Sequence, residues 1–165
     1  AGIDAFLEAR EVGPTGRVIG VDMTPAMLDR ARANAAEGGY TNVEFRLGEI
    51  EHLPVADASA DLVISNCVVN LSPQKDQVFR EAYRALKPGG RILVSDLVLE
   101  APLPKEIKES IEAYVGCIAG ASLREEYLRL IREAGFESVE IVHEGRYGNA
   151  PVTSVQVRAV KSATR

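Results

Sequence analysis

The chain has 165 residues, 46% of them hydrophobic and 26% charged, which fits one globular domain with a real core and excludes a disordered chain. A net charge of -5 gives no electrostatic reason to expect nucleic acid or an anionic membrane as a partner. No apolar run approaches the roughly 20 residues needed to span a bilayer and no basic leader opens the chain, so the two cysteines fit free thiols in a reducing cytoplasm.

The pattern alternates between helix and strand. Ile3 to Glu11 reads as a helix that ends at Val12-Gly13-Pro14. Arg17 to Asp22 is a short strand closing on an acid, and Thr24-Pro25 then supplies an N-cap and a proline at the first helical position. The helix that follows carries Met27, Leu28, Ala31 and Ala35 along one face until Gly38-Gly39 stops it. Val43 to Leu47 alternates like a strand and leads into Gly48-Glu49-Ile50.

Leu62 to Asn66 is a short apolar run of the kind found in a buried parallel strand. A helix is predicted over Gln74 to Leu86, with Val78, Ala82, Tyr83 and Leu86 on one side and Lys87-Pro88-Gly89-Gly90 as its stop and turn. Arg91 to Ser95 is a further buried strand, followed by helices around Lys105 to Val115 and over Leu123 to Ala134. Ser138 to His143 and Thr153 to Val160 close the chain as two strands with no helix between them. The fold class implied is α/β: a Rossmann-like, doubly wound, mostly parallel sheet with an antiparallel C-terminal hairpin, spanning residues 1–165 as a single domain.

In such sheets ligands sit outside the carboxyl ends of the strands. Asp22 is therefore placed to accept the hydroxyls of a ribose, or else is a capping acid in a strand-to-helix turn. Glu49 has the same ambiguity. Asp22, Met23, Glu49 and Ile50 together make a consistent adenosine pocket, with acids for hydroxyl and amine and apolar side chains for the ring. A glycine-rich loop normally precedes the first helix of such a site. Gly2 is the last glycine of that loop if the first strand and most of the loop are missing from the sequence. The chain is then expected to pair the resulting gap with another segment, or to be part of a longer protein.

Asn66 and Cys67 follow a strand end and so fall at the site rim, while Cys117 lies in Val115-Gly-Cys-Ile-Ala-Gly-Ala121. Buried cysteine is often a small hydrophobe. Two thiolates brought together from separate segments instead favour a soft, thiophilic species, without making a zinc site, which wants four ligands. His52 and His143 fit no spaced metal motif. Glu106, Lys108, Glu109 and Glu112 read as a solvated helix face, and the absence of tryptophan argues against an aromatic cage.

From Asp22 onward the chain resembles the class I S-adenosylmethionine-dependent methyltransferases, on Gly48-Glu49-Ile50, Leu53-Pro54, Phe79-Arg80-Glu81 with Tyr83-Arg84, and Leu86-Lys-Pro-Gly-Gly90. More narrowly it resembles the arsenite methyltransferases, on Ile64-Ser-Asn-Cys-Val-Val-Asn-Leu71, Cys117-Ile-Ala-Gly-Ala121 and Ser154-Val-Gln-Val-Arg-Ala-Val-Lys161. That resemblance implies S-adenosylmethionine as cofactor, with Asp22 on the ribose, Glu49 and Ile50 on the adenine side, and Asn66 lining the cleft. It implies Cys67 and Cys117 as the thiolates that hold trivalent arsenic, the small-molecule substrate being arsenite or its thiol conjugate. The family has a further cysteine nearer its N-terminus that no residue here matches, which leaves a ligand position for an exogenous thiol such as glutathione. Two other activities remain open: methylation of a small organic acceptor such as a quinone or sterol precursor, and a non-catalytic arsenic- or nucleoside-binding module.

Overall fold

A computed structural model describes residues 1–103, 118–146 and 151–163. The helix expected around Lys105 to Val115, its solvated face and Cys117 lie outside the described residues. The chain divides into two compact units, Ala1–Pro54 and Val55–Arg165.

In the first unit, α1 (Ile3–Glu11), β1 (Val18–Asp22), α2 (Pro25–Glu37) and β2 (Val43–Leu47) follow the expected order. β1 and β2 pair in parallel from Val18 with Val43 to Asp22 with Leu47. Parallel pairing needs a crossover, which α2 supplies. Its Leu28, Ala31 and Ala35 are buried, the face the helical period marks, whereas Met27 is exposed. Phe6 of α1 stacks on Tyr40 at 4.6 Å between centroids and meets Phe45 of β2 edge-on at 5.8 Å. Gly20 makes that packing possible, since a Cβ there would lie 2.6 Å from the Phe45 ring.

The second unit is built on β3 (Ala60–Asn66), α3 (Lys75–Ala85), β4 (Leu86–Leu99), α4 (Arg124–Glu133), β5 (Glu137–Arg146) and β6 (Val152–Val160). The sheet order is β3-β4-β6-β5. β3 and β4 are parallel, and β6 runs antiparallel to both β4 and β5. The expected C-terminal hairpin is therefore present, with β5 at the sheet edge and β6 inserted beside β4. The core lies between this sheet and the helices: Phe79, Leu86, Ile92, Ile131, Val157 and Ala159 are all nearly inaccessible. Phe79 of α3 meets Tyr127 of α4 edge-on at 5.4 Å, and Tyr83 meets Phe136 at 5.2 Å. Such pairs contribute about 1 kcal/mol each beyond the area they bury.

β4 is longer than Arg91 to Ser95 at both ends. Ala60 pairs with Leu86 but Leu62 with Arg91, so Lys87 to Gly90 bulge out of the ladder between them. Gly89 turns the bulge at φ 79° and its N–H donates to the Lys161 carbonyl at 2.9 Å. The helix stop expected at Lys87-Pro-Gly-Gly90 is thus a turn folded inside a strand. At its other end β4 continues through Asp96 to Leu99, paired throughout with β6 down to Val152.

Ile92 is fully buried at the centre of β4. Replacing Ile92 by alanine is expected to cost about 3 kcal/mol of unfolding free energy, read from urea denaturation. A loss under about 1 kcal/mol would contradict the packing described.

Candidate active site

The parallel ladder of the first unit brings four of the expected residues together. Asp22 is the last residue of β1 and pairs with Leu47, and its carbonyl accepts the Gly48 N–H at 3.1 Å. Asp22-Met23 and Gly48-Glu49-Ile50 therefore sit side by side at one strand edge. The Asp22 carboxylate is half-buried, and its Oδ1 accepts the backbone N–H of Thr24 at 2.8 Å. The acid thus caps the turn as the plainer of its two readings required, and it holds its position while Oδ1 alone is engaged in a hydrogen bond among the described residues. Met23 is 68% exposed, an apolar side chain left at this rim. Glu49 is exposed, and its carbonyl accepts the His52 N–H at 3.1 Å, closing a tight turn over Ile50-Glu51. Gly2 caps α1 in the left-handed region at φ 80°, where a Cβ would also lie 2.9 Å from the Phe45 ring. Both demands select glycine.

This donor and acceptor set fits a nucleoside. Carboxylates suit hydroxyl and amine donors, and exposed Met23 with half-buried Ile50 offers apolar cover for a ring.

In the second unit the ladder of β3 and β4 closes at Asn66 paired with Ser95. The next residue, Cys67, donates its N–H to the Ser95 carbonyl at 2.8 Å and has φ 56°. A left-handed backbone is uncommon for a residue with a side chain and costs on the order of 1 kcal/mol. Cys67 and Asn66 are exposed, so the strained turn presents both at the carboxyl end of β3. The chain then forms a short 3-10 turn, Val69–Leu71, in which Val69 and Asn70 are buried. The Asn70 side chain donates from Nδ2 to the Leu97 carbonyl at 2.7 Å. Among the described residues no group of three or more histidine, cysteine and acidic side chains is placed to hold a metal ion. No helix among them is long and apolar enough to cross a membrane.

Beneath this turn lies a charged group the sequence reading missed. Asp96 is buried on β4, and its Oδ2 accepts the Tyr127 hydroxyl at 2.8 Å. Burial pushes its carboxyl up from 3.8 to about 6, opposed by the Tyr127 hydroxyl, the Asn70 N–H and the Lys75 charge. Burial likewise holds the Tyr127 phenol far above its usual range, and the Asp96 and Cys67 charges add to the rise. Lys75 donates from Nζ to the Ser72 carbonyl at 3.2 Å, and its pKa is lowered by burial against the pull of Asp96 and Glu126. An acid inside an apolar strand run is the sequence signal for this cluster, and the apolar pattern hides it by ending the strand at Ser95.

Asp96 is held protonated more readily in the folded chain than in the unfolded one, so its contribution to stability is full below about pH 4 and lost as pH rises through about 6. The Asp96→Asn protein has no such titration. From about pH 4 to about pH 7 the stability of the native chain relative to this variant should fall by up to about 3 kcal/mol in urea unfolding. A difference that does not change with pH would contradict the assignment.

Residues 1–135 match the family described as Methyltransferase domain, a match that runs through both units. The arsenite methyltransferase of Halobacterium salinarum is 57% identical over 141 residues, which cover 86% of this chain and 36% of that protein. The arsenite methyltransferase of Aquipseudomonas alcaligenes is 42% identical over 151 residues, 87% of this chain and 44% of that protein. The chain therefore spans less than half the length of these curated relatives. Among solved structures, an arsenic(III) S-adenosylmethionine methyltransferase from Chlamydomonas reinhardtii superposes with a TM-score of 0.82 at 37% identity, over 99% of this chain and 62% of that one. With its parallel ladders, its antiparallel C-terminal hairpin and a family match over most of its length, the chain belongs to the methyltransferase-domain family.

Proposed function

We propose that this chain takes part in methyl transfer from S-adenosylmethionine to trivalent arsenic held by the thiolates of Cys67 and Cys117, an activity that serves arsenic detoxification in the cytoplasm. The observation that carries the reading is the exposed Cys67 thiol, presented on a strained turn that is hydrogen-bonded to Ser95 at the carboxyl end of β3. Support also comes from the likeness to proteins named arsenite methyltransferases. We assign residues 1–165 to one methyl-transfer domain.

When bound, S-adenosylmethionine supplies an electrophilic methyl group on a sulfonium centre. Asp22 would accept the ribose hydroxyls, Glu49 and Ile50 would take the adenine side with Met23, and Gly2 would let the backbone approach; Asn66 is assigned to the cofactor from the family resemblance. Cys67 and Cys117 each pass a thiol proton to an arsenite hydroxyl, which leaves as water as the arsenic–sulfur bond forms. Sulfur ligation suits this soft centre and leaves its lone pair available as the nucleophile. No general base has to act on the arsenic, so positioning carries much of the rate. A third ligand position is open to an exogenous thiol such as glutathione.

Calorimetric titration of the reduced protein with arsenite and, separately, with S-adenosylmethionine tests the reading. Arsenite should bind with loss of both thiols, and Cys67→Ser should weaken that binding at least about tenfold. Asp22→Asn should weaken cofactor binding by about tenfold, the worth of a charge-assisted hydrogen bond, and leave arsenite binding alone. Cofactor binding without arsenite binding would overturn the arsenic assignment and favour an organic methyl acceptor.

A further inference from the structure

The Asn70 and Gly120 backbones approach each other closely in the second unit. A Cβ built on Gly120 would lie 2.0 Å from the Asn70 carbonyl oxygen and 3.1 Å from its carbonyl carbon. The atoms in the way are backbone, so no rotamer change relieves the overlap, and any side chain at position 120 must push the two segments apart. Gly120 belongs to a turn closed by the Ala121 N–H donating to the Ile118 carbonyl at 3.1 Å. Ile118 and Ala121 pack against the buried Leu97, Leu99 and Val152. The chain beyond is tied to the end of β4, where the Leu99 N–H donates to the Ser122 carbonyl at 2.9 Å. On the other side of the contact, Asn70 is 1% exposed and fixed by its Nδ2 bond to the Leu97 carbonyl. Leu97 is thus shared: its carbonyl holds Asn70, and its side chain belongs to the cluster that Ile118 and Ala121 pack against. Ile118–Ala121 follows Cys117 in the sequence, and Asn70 follows Cys67 by three positions.

We infer that Asn70 and Gly120 are positioning residues that hold the segment following the second cysteine against the turn carrying the first, so that one arsenic atom engages both thiols. This rests on the thiolate assignment made above. Neither residue touches the arsenic. Asn70 acts through the Cys67 turn and Gly120 through the Ile118–Ala121 turn.

Phenylarsine oxide takes two thiols and releases one water, so it reads whether both sulfurs reach one arsenic. One equivalent should consume both thiols of the native protein. In Gly120→Ala the affinity should fall by about tenfold or more, toward that of Cys67→Ser, because the second thiol loses its effective concentration at the arsenic. The urea midpoint of Gly120→Ala should fall but leave the protein folded under the assay conditions, and the rate at which each cysteine reacts with iodoacetamide should stay near native, as a general loss of structure would not allow. Asn70→Ala, which removes the bond to Leu97 without adding bulk, should weaken two-thiol capture in the same direction and gives an independent route if Gly120→Ala does not fold. Capture by Gly120→Ala at native affinity would overturn the inference while leaving the thiolate assignment standing. Failure of the native protein to give up both thiols to one equivalent would overturn both.

Discussion

The hydrogen bond from the Cys67 amide to the Ser95 carbonyl, 2.8 Å long, carries the parallel pairing of β3 and β4 one step beyond its last strand residue. Just past that bond the backbone at Cys67 turns into the left-handed region, at a cost on the order of 1 kcal/mol for a residue with a Cβ. The bonds that follow offset that cost. Asn70 donates to the Leu97 carbonyl, the Leu71 and Ser72 amides close on Val68 and Val69, and Lys75 reaches the Ser72 carbonyl. The turn is therefore over-determined by its attachments to β4 and to itself. An exposed thiol at its start is thus set in place by the fold.

A rule of the same kind organises the first unit. The Gly48 amide donates to the Asp22 carbonyl, carrying the pairing of β1 and β2 one step past Asp22 and Leu47. The consequence differs because Asp22 then caps its own turn through Thr24 and fixes a carboxylate at the rim. In both units chemistry-bearing residues lie just beyond the carboxyl ends of parallel strands, where backbone pairing stops and polar groups turn outward. The acid below the Cys67 turn adds an electrostatic element. Asp96 is buried at a desolvation cost large enough to move its carboxyl to about 6, and Tyr127 gives it a hydrogen bond from the opposite layer.

Much of this was legible from residue pattern. The period of α2 marked Met27, Leu28, Ala31 and Ala35 as one face, of which all but Met27 are buried, and the apolar run before Asn66 identified β3 and its end. Those features are local, set by side-chain period and by glycine and proline punctuation. What could not be read depends on partners distant in sequence. The left-handed backbone of Cys67 lies where the chain leaves β3 for the turn that Asn70 ties to Leu97, and the bulge at Lys87 to Gly90 follows from pairing with Ala60, Leu62 and Lys161. β4 runs past Ser95 because β6 pairs with it as far as Leu99, which overrides the break an acid at position 96 signals. Gly120 is a glycine for want of space beside Asn70 rather than for a turn, a reason that only the contact reveals.

The proposed function makes one demand above the others: arsenic bound by this protein should have a sulfur shell that includes Cys67. Arsenic K-edge X-ray absorption on the reduced protein loaded with one equivalent of arsenite reads that shell. The account predicts sulfur neighbours and their replacement in part by oxygen in Cys67→Ser. An all-oxygen shell in the native protein, or a sulfur shell unchanged by the substitution, would contradict it.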